Sequence, residues 1–457
     1  MSKNDDRTKR NIELIRGDPK IAIRKLSYPT MLSMFLVMLY NIADSLWVAG
    51  LGSNALAALG FISPLFFIIV NVGNGIGAGA NSIIARAIGA KNKPLADNSA
   101  VHSILIAVIL SVLVPVLLVP FLKEILLLMG VGSSLQMGLD YGNVVFICTF
   151  SFIFNGVLAA ILRSEGDATR SMYAVAVTAV LNIVLDPIFI YVFGMGVGGA
   201  AWASVISSLI ACFVMAYWIW VNKDTYLNIT RSAFKYDSYI LKQIGLVAIP
   251  NMAEGIVFSV MMMVMNWMLT LVAGTTAVAV YTSAGRINQL AMIPLIGVGT
   301  AMLTVAGAAY GAKDYDKLEF AHKYAIKLSY IVSIILCIVM FFGSDYIALL
   351  FAYTDQSAML APLISEVLKI LCLFLLAVPA GMISAMVFQG IGKGVISFVI
   401  TLFRALLLEI ALAYFFGVIL HLGQRGIYGG MVLAAAIGSV IAYIWCRLYI
   451  KGLKNNS

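Results

Sequence analysis

Charged residues are scarce in this chain. Asp, Glu, Lys and Arg make up 11% of its 457 residues, whereas 62% are hydrophobic and the mean hydropathy is +0.99. Soluble globular domains carry about 25% charged residues, because their surface has to face water. The composition therefore excludes a soluble globular protein and predicts an all-α, polytopic membrane protein.

Cysteine, histidine and the motifs of enzyme active sites are also sparse. The five cysteines lie far apart within apolar segments, and the three histidines lie at the ends of such segments. This spacing fits neither a disulfide framework nor a metal site. The sequence contains no H-E-x-x-H, no G-x-S-x-G and no phosphate-binding loop. We therefore expect neither enzyme activity nor a bound cofactor.

Twelve apolar stretches are long enough to cross a bilayer as helices, since one crossing takes about 20 residues. We place the twelve spans at residues 26–49, 57–84, 99–121, 138–161, 171–193, 198–221, 243–270, 277–304, 321–343, 361–388, 395–417 and 427–450.

Lysine and arginine concentrate on one side of these spans. The segment 1–25 contains eight of them, and the loops after every second span contain most of the others. Because such residues mark cytoplasmic loops, we predict a cell (inner) membrane protein whose N-terminal segment 1–25 and C-terminal tail 451–457 are both cytoplasmic. The net charge of +9 is thus a signal of topology, and binding to nucleic acid is not expected.

The two halves of the chain resemble each other at a nearly fixed offset. Gly89-Ala90-Lys91 recurs 222 residues later as Gly311-Ala312-Lys313, and Gly166 corresponds to Gly392 after 226 residues. An inner linker at 222–242 separates six spans at 26–221 from six at 243–450. The even number of spans per half predicts two six-helix bundles related by a pseudo-twofold axis along the membrane normal. Two such bundles would form a central cleft that opens to each side in turn.

Few carboxylates lie inside the predicted spans, and two of them fall at a similar depth. With a rise of about 1.5 Å per residue, Asp44 lies roughly 28 Å and Asp186 roughly 24 Å from the inner ends of their helices. Ser204 reaches this level from the outer end of its span, while Tyr40 and Asn182 lie one turn from Asp44 and Asp186. We predict that these five residues form a buried hydrogen-bond network.

The predicted network has a chemical consequence. Two carboxylates in a low dielectric resist simultaneous ionisation, so the pair is suited to exchanging a proton. The oxygens of Asp44, Asp186 and Asn182 would equally hold a Na⁺ ion. A polar contact between helices, without a role in transport, is the alternative.

The C-terminal half contains two further carboxylates well inside spans, Glu254 and Glu409. Glu409 could be neutralised by Arg404 of the same helix, or either glutamate could present negative charge to a cationic substrate. Met261 and Met265 could line the same substrate cavity or serve only for packing. In the first span, Pro29 precedes Asp44 by fifteen residues and predicts a bend that could act as a hinge.

Several motifs resemble the MATE family, the multidrug and toxic compound extrusion transporters. Pro29 with Tyr40-Asn41-Ile42-Ala43-Asp44 resembles the first-helix pattern of that family, and Asn182-Ile183-Val184-Leu185-Asp186-Pro187 resembles its fifth-span signature. The stretch 162–170, LRSEGDATR, resembles the loop between spans four and five. The resemblance covers almost the whole chain and is greatest to the DinF-type branch, whose carboxylates concentrate in the N-terminal half. MATE proteins with a glutamate in the seventh span carry it about a turn further on, at the position of Phe258, so Glu254 departs from the pattern.

The resemblance implies a secondary transporter that exports organic cations or amphiphilic compounds by antiport with H⁺ or Na⁺ through alternating access. We add Asn155 to the predicted ion-coupling set. We expect a functional monomer surrounded by membrane lipid. The main alternative is a flippase for lipid-linked oligosaccharides or other lipids, but only Arg286 and Arg404 would supply cations within the spans. A channel is a second alternative, and the repeat within a single chain argues against it.

Overall fold

The computed structural model describes residues 3–349 and 360–455, apart from the side chains of residues 3–5 and 275. The first two residues of the predicted N-terminal segment and the last two of the predicted tail lie outside the described residues. Throughout the described part the chain is helical and contains no β-strand, as predicted.

The helices of the N-terminal half are, in chain order, α1 (Lys3–Arg16), α2 (Pro19–Ala49), α3 (Ser53–Gly89), α4 (Lys93–Leu118), α5 (Leu122–Leu128), α6 (Leu135–Ile147), α7 (Thr149–Ser164), α8 (Ala168–Pro187) and α9 (Gly196–Ala216). Those of the C-terminal half are α10 (Ser238–Gly274), α11 (Thr276–Gly311), α12 (Tyr315–Leu349), α13 (Ala361–Ala377), α14 (Pro379–Gly390), α15 (Gly394–Thr401), α16 (Glu409–Tyr414) and α17 (Gly423–Asn455). Wider π-helical turns follow α8 (Ile188–Val192), α9 (Tyr217–Val221), α15 (Leu402–Leu408) and α16 (Phe415–Ile419).

The number of spans agrees with the prediction. Within the described residues, 10 helical stretches are long and apolar enough to cross a membrane, and the count reaches 12 if two bent pairs are each one span. The pair α6 and α7 bends by 49° at Cys148, and the pair α13 and α14 bends by 44° at Val378. Pro379 explains the second bend, because proline has no amide hydrogen to continue the preceding helix.

The first span begins earlier than predicted. Helix α2 starts at Pro19, and the side chain of Asp18 caps it by accepting a hydrogen bond of 2.8 Å from the amide of Lys20. Aspartate at the cap and proline at the first position are a favourable start for a helix. The predicted span at 26–49 therefore covers only the later part of a longer helix.

Local backbone geometry repeats between the two halves. Gly52 and Gly274 both have positive φ angles, of 104° and 75°, and so do Gly166 and Gly392, at 85° and 83°. Lys91 and Lys313, the lysines of the repeated Gly-Ala-Lys motif, also share this conformation, with φ of 59° and 56°. The same turns thus end corresponding helices in both halves, as the sequence repeat predicts.

The chain forms two compact units, Met1–Met252 (unit 1) and Ala253–Ser457 (unit 2). The division falls within α10 and not at the predicted linker 222–242, because the beginning of α10 packs closely against α3. A Cβ atom on Gly79 would lie 2.6 Å from the carbonyl oxygen of Ile244, and one on Gly75 would lie 2.9 Å from that of Ala248.

The N-terminal segment forms a docked helix. Ile12 and Ile15 of α1 are buried, and Arg16 donates hydrogen bonds of 2.9 and 2.6 Å to the carbonyl oxygen of Ile88, at the end of α3. Arg7 forms an ion pair of 3.1 Å with Asp167. We call the surface formed by α1 and the loops 89–93, 164–168 and 222–237 the α1 face of unit 1.

Candidate functional site

Asp44 and Asp186 are brought together in unit 1, because α2 packs along α8. Both side chains are buried, with 8% of Asp44 and none of Asp186 exposed. They lie close enough for their charges to interact. Asp44 therefore faces the interior of the unit and not the surrounding lipid.

Asn182 is the hydrogen-bonding centre of this cluster. Its side-chain amide donates to Oδ1 of Asp186 at 3.2 Å and to Oγ of Ser204 at 3.1 Å, which connects α8 to α9. The spacing of four residues along α8 places Asn182 and Asp186 on one helix face. The predicted set of Asp44, Asp186, Asn182 and Ser204 thus meets in space.

Three buried oxygens of the cluster have no hydrogen-bond partner: Oδ1 of Asp44, Oδ2 of Asp186 and Oδ1 of Asn182. Leaving a buried polar atom without a partner costs about 1–3 kcal/mol. Two carboxylate oxygens and an amide oxygen suit a proton or a hard cation as the group that relieves this cost.

Two tyrosines complete the cluster, and only one of them was predicted. Tyr40 lies one turn before Asp44 and interacts with its charge. Tyr141 of α6 is buried, lies within hydrogen-bonding reach of Ser204 and interacts with the charges of both carboxylates. Tyr141 is not among the residues predicted from the sequence. Helix geometry would have identified it. Tyr141 lies six residues, or about 9 Å, from the start of α6, and this depth is close to that of Ser204 within α9.

Asn155 lies in a neighbouring layer and not in the cluster itself. Its amide donates to Oγ of Thr178 at 3.5 Å and to Oγ of Ser208 at 3.3 Å, so it connects α7 to α8 and α9. Thr178 and Ser208 are each one turn, about 6 Å, away from the positions of Asn182 and Ser204. Asn155 therefore supports the helices that carry the cluster.

In unit 2, Glu254 belongs to a second polar group. Its carboxylate accepts hydrogen bonds from Ser397 at 3.0 Å and from Gln389 at 3.4 Å, and it interacts with the charge of Arg404. Glu409 is buried and interacts with the charge of the same Arg404, while its Oε1 has no hydrogen-bond partner. The charge of one arginine thus interacts with two glutamates, and both alternatives for Glu409, neutralisation and substrate binding, stay predictions.

Met261 and Met265 have an apolar environment. Met265 is completely buried in the hydrophobic core of unit 2, and Met261 packs against that core. Packing alone accounts for both positions.

Pro29 is buried within an unbroken α2. The hydroxyls of Ser27, Thr30 and Ser33 donate to carbonyl oxygens one turn earlier, at 2.5, 2.8 and 2.8 Å. None of these bonds goes to the carbonyl oxygen of Lys25, the group that loses its helical donor because residue 29 is a proline.

Membrane-spanning helices in two repeated halves, with buried carboxylates in helix packing, are the features of a secondary transporter. The family model described as MatE matches residues 29–188 and 250–415. The chain therefore belongs to the MATE family of multi-pass membrane transporters, as the sequence motifs predicted. Membership in a transporter family also agrees with the expectation that the chain is not an enzyme.

Relatives extend the comparison over nearly the full length. The "Probable multidrug resistance protein YoeA" of Bacillus subtilis is 26% identical and covers 95% of this chain and 98% of its own length. The solved structure described as "Outward-facing conformation of a multidrug resistance MATE family transporter of the MOP superfamily" is 39% identical, with a TM-score of 0.94 over 97% of this chain and 99% of its own. A MOP superfamily transporter of Pyrococcus furiosus, described with the words "Reverse polarity of binding pocket suggests different function", is also 39% identical, with a TM-score of 0.94 over 97% of this chain and 98% of its own. The relatives named for multidrug resistance support multidrug efflux as the general function.

Proposed function

We propose that the chain exports organic cations or amphiphilic compounds by antiport with H⁺ or Na⁺, and that Asp44 and Asp186 form the ion-coupling site. The observation that carries this proposal is the pair of buried carboxylates on two helices that pack against each other, each with a buried oxygen that has no hydrogen-bond partner.

The hydrogen bonds of the cluster indicate where the ion binds. Asn182 already donates to one oxygen of Asp186, which leaves Oδ2 as the oxygen available to a proton. A Na⁺ ion would use that oxygen together with Oδ1 of Asp44 and Oδ1 of Asn182. Either ion neutralises charge that a low-dielectric interior disfavours.

Coupling follows if ion and substrate favour different conformations. A ligand shifts an equilibrium only as far as its affinity differs between the two states. When an ion from outside neutralises the Asp44 and Asp186 pair, α2 changes its bend at Pro29 and the bound substrate is released outward. Glu254 and Glu409 of unit 2 would supply negative charge for a cationic substrate.

We further propose that the chain works as a monomer in the cell membrane, with both termini in the cytoplasm. The basic residues of the α1 face and of the linker support this orientation. Protease treatment of a C-terminal tag in right-side-out and inverted vesicles tests it, because cleavage is expected only in inverted vesicles.

The test is efflux of a cationic dye from proteoliposomes under separately imposed pH and Na⁺ gradients. Wild-type protein should export dye under at least one gradient, and Asp44→Asn should lose at least about tenfold in rate, the equivalent of 1.4 kcal/mol. Asp140→Asn is the matched control, because Asp140 is an exposed carboxylate of α6 and should leave the rate unchanged. Undiminished coupled export by Asp44→Asn would overturn the proposed site.

The flippase alternative is tested by the same proteoliposomes. In unit 2, Arg404 is already shared between Glu254 and Glu409, which leaves it poorly placed to attract a lipid-linked anion. Translocation of a lipid-linked oligosaccharide without any dye export would replace efflux as the function.

A further inference from the structure

A shallow groove lies on the outside of unit 1, where the linker portion of the α1 face meets α4. Its apolar wall is formed by Val101 and Leu105 of α4, Trp220 of the π-helical turn after α9, and Ile229 and Phe234 of the linker. Thr230 and Arg231 complete the lining, and the groove has a volume of about 360 Å³. This volume lies within the range of sites that hold small organic ligands, about 300–1,000 Å³.

Hydrogen bonds hold the walls of the groove in place. Asn98 of α4 forms two bonds with the backbone of Lys235, at 2.8 and 3.1 Å. The indole N–H of Trp220 donates to the carbonyl oxygen of Ile229 at 2.9 Å, and the ring of Phe234 lies 5.0 Å from that of His102. The linker is thus fixed against α4 and α9.

The groove continues an apolar surface of α4. Leu105, Ile109, Val112 and Val116 are all exposed and follow each other at spacings of three or four residues, so they share one face of the helix. Such a face, all apolar and facing outward, contacts the hydrocarbon of the membrane. The groove therefore opens where lipid chains are present.

The mouth of the groove has the character of a membrane interface. Arg231 is exposed, and Tyr236 and Tyr239 follow as exposed aromatic residues of the kind enriched at the headgroup level. The linker 222–242 contains four basic residues and two acidic ones, and one of the acidic residues, Asp224, pairs with Arg170 at 2.8 Å. Positive charge therefore dominates beside an apolar slot.

We propose that this groove binds an anionic phospholipid of the cytoplasmic leaflet. One acyl chain lies against Val101, Leu105 and Phe234, and the phosphate pairs with the guanidinium of Arg231. The complementarity of charge selects an anionic headgroup, and the apolar wall selects a lipid over a free phosphate. The site is separate from the carboxylate cluster and requires no transport activity.

Trp220 provides the test, because brominated acyl chains quench the fluorescence of a tryptophan that they touch. The full chain is reconstituted with brominated phosphatidylglycerol or brominated phosphatidylcholine, and the signal of Trp220 is obtained by subtracting the Trp220→Phe variant. Phosphatidylglycerol should quench Trp220 at lower mole fraction than phosphatidylcholine. Arg231→Gln should weaken this preference about fivefold, the equivalent of roughly 1 kcal/mol for one basic residue at a headgroup.

Arg10→Gln is the matched control, since Arg10 is an exposed cation of the same α1 face but lies outside the groove. It should keep the full preference, whereas Val101→Phe should reduce quenching by both lipids by filling the slot. Equal quenching by the two lipids, or equal losses in Arg231→Gln and Arg10→Gln, would overturn the proposed site. Displacement of the brominated lipid by a cationic dye would instead assign the groove to substrate.

Discussion

At the scale of single residues, Asn182 is the residue on which the carboxylate cluster depends. It is completely buried and its amide is the donor to both Asp186 and Ser204. Removal of this donor leaves Oδ1 of Asp186 without a partner, in addition to Oδ2. Asp186 would then be a buried carboxylate that receives no hydrogen bond from residue 182.

Asn182→Leu, which keeps a similar volume, should lower the free energy of unfolding by about 1–3 kcal/mol because it leaves a buried carboxylate oxygen unpaired. Ser204→Ala should cost less, about 0.5–1.5 kcal/mol, because the amide of Asn182 keeps its bond to Asp186. Thermal unfolding of both variants in detergent measures the difference. A larger loss in Ser204→Ala would show that Asn182 does not have this role.

A second residue-scale prediction concerns Glu165, which lies in the loop after α7. Burial raises the pKa of Glu165 from its ordinary 4.5 to about 8, and the charge of Asp167 adds to the effect. The backbone N–H of Tyr226, 2.8 Å from Oε2, the amide of Leu227 and the charge of Lys93 oppose it. The folded protein therefore keeps a proton that the unfolded chain loses above pH 4.5.

Stability should consequently fall as pH rises from 4.5 towards 8, because the unfolded state binds fewer protons than the folded state in this window. Glu165→Gln cannot ionise and should show a smaller fall in melting temperature between about pH 5 and pH 8. Asp6→Asn, an exposed change in α1, serves as the control and should follow the wild type. Parallel curves for wild type and Glu165→Gln would contradict the predicted shift.

At the scale of helices, the apolar runs predicted the spans well but not their interruptions. The bend at Val378 is explained by Pro379. Nothing in the sequence around Cys148 marks a break, although the backbone of Cys148 leaves the helical region in the structure. The packing of α1 against the rest of unit 1 could not be predicted from the sequence either, because a polar segment with isolated isoleucines carries no pattern that distinguishes a docked helix. The five residues that depth counting placed at one level lie together in the cluster, whereas Asn155, the sixth residue of the predicted ion-coupling set, falls one turn away.

Gly166 tests the contact between α1 and unit 1. It has φ of 85°, and a Cβ atom there would lie 2.6 Å from the carbonyl oxygen of Asn11. Gly166→Ala should therefore displace α1 and raise the rate of trypsin cleavage at the exposed Lys9 and Arg10 several-fold.

Gly392→Ala is the matched control, because Gly392 has a φ of 83° but belongs to unit 2. Both variants should lose about 1–2 kcal/mol through backbone strain, and only Gly166→Ala should expose α1. Equal cleavage in the two variants would show that α1 does not depend on Gly166.

At the scale of the whole molecule, the repeat predicts equal responses at equivalent positions. Lys91 and Lys313 both adopt the left-handed conformation after a helix, where glycine is the favoured residue. Lys91→Gly and Lys313→Gly should each stabilise the protein by about 0.5–1 kcal/mol, and the double variant should show the sum because distant sites act independently. Denaturant or thermal unfolding measures all three, and destabilisation by either change would contradict the shared geometry.

The central claim is that Asp44 and Asp186 form one coupling site, and a double-variant cycle of gradient-driven dye efflux tests it most directly. Initial rates are measured for Asp44→Asn, Asp186→Asn and the protein with both changes. A shared site predicts that each single change lowers the rate by at least about tenfold and that the second adds little, since residues acting as a unit are not additive. Losses that multiply in the double variant, or a single variant that keeps the wild-type rate, would contradict the account.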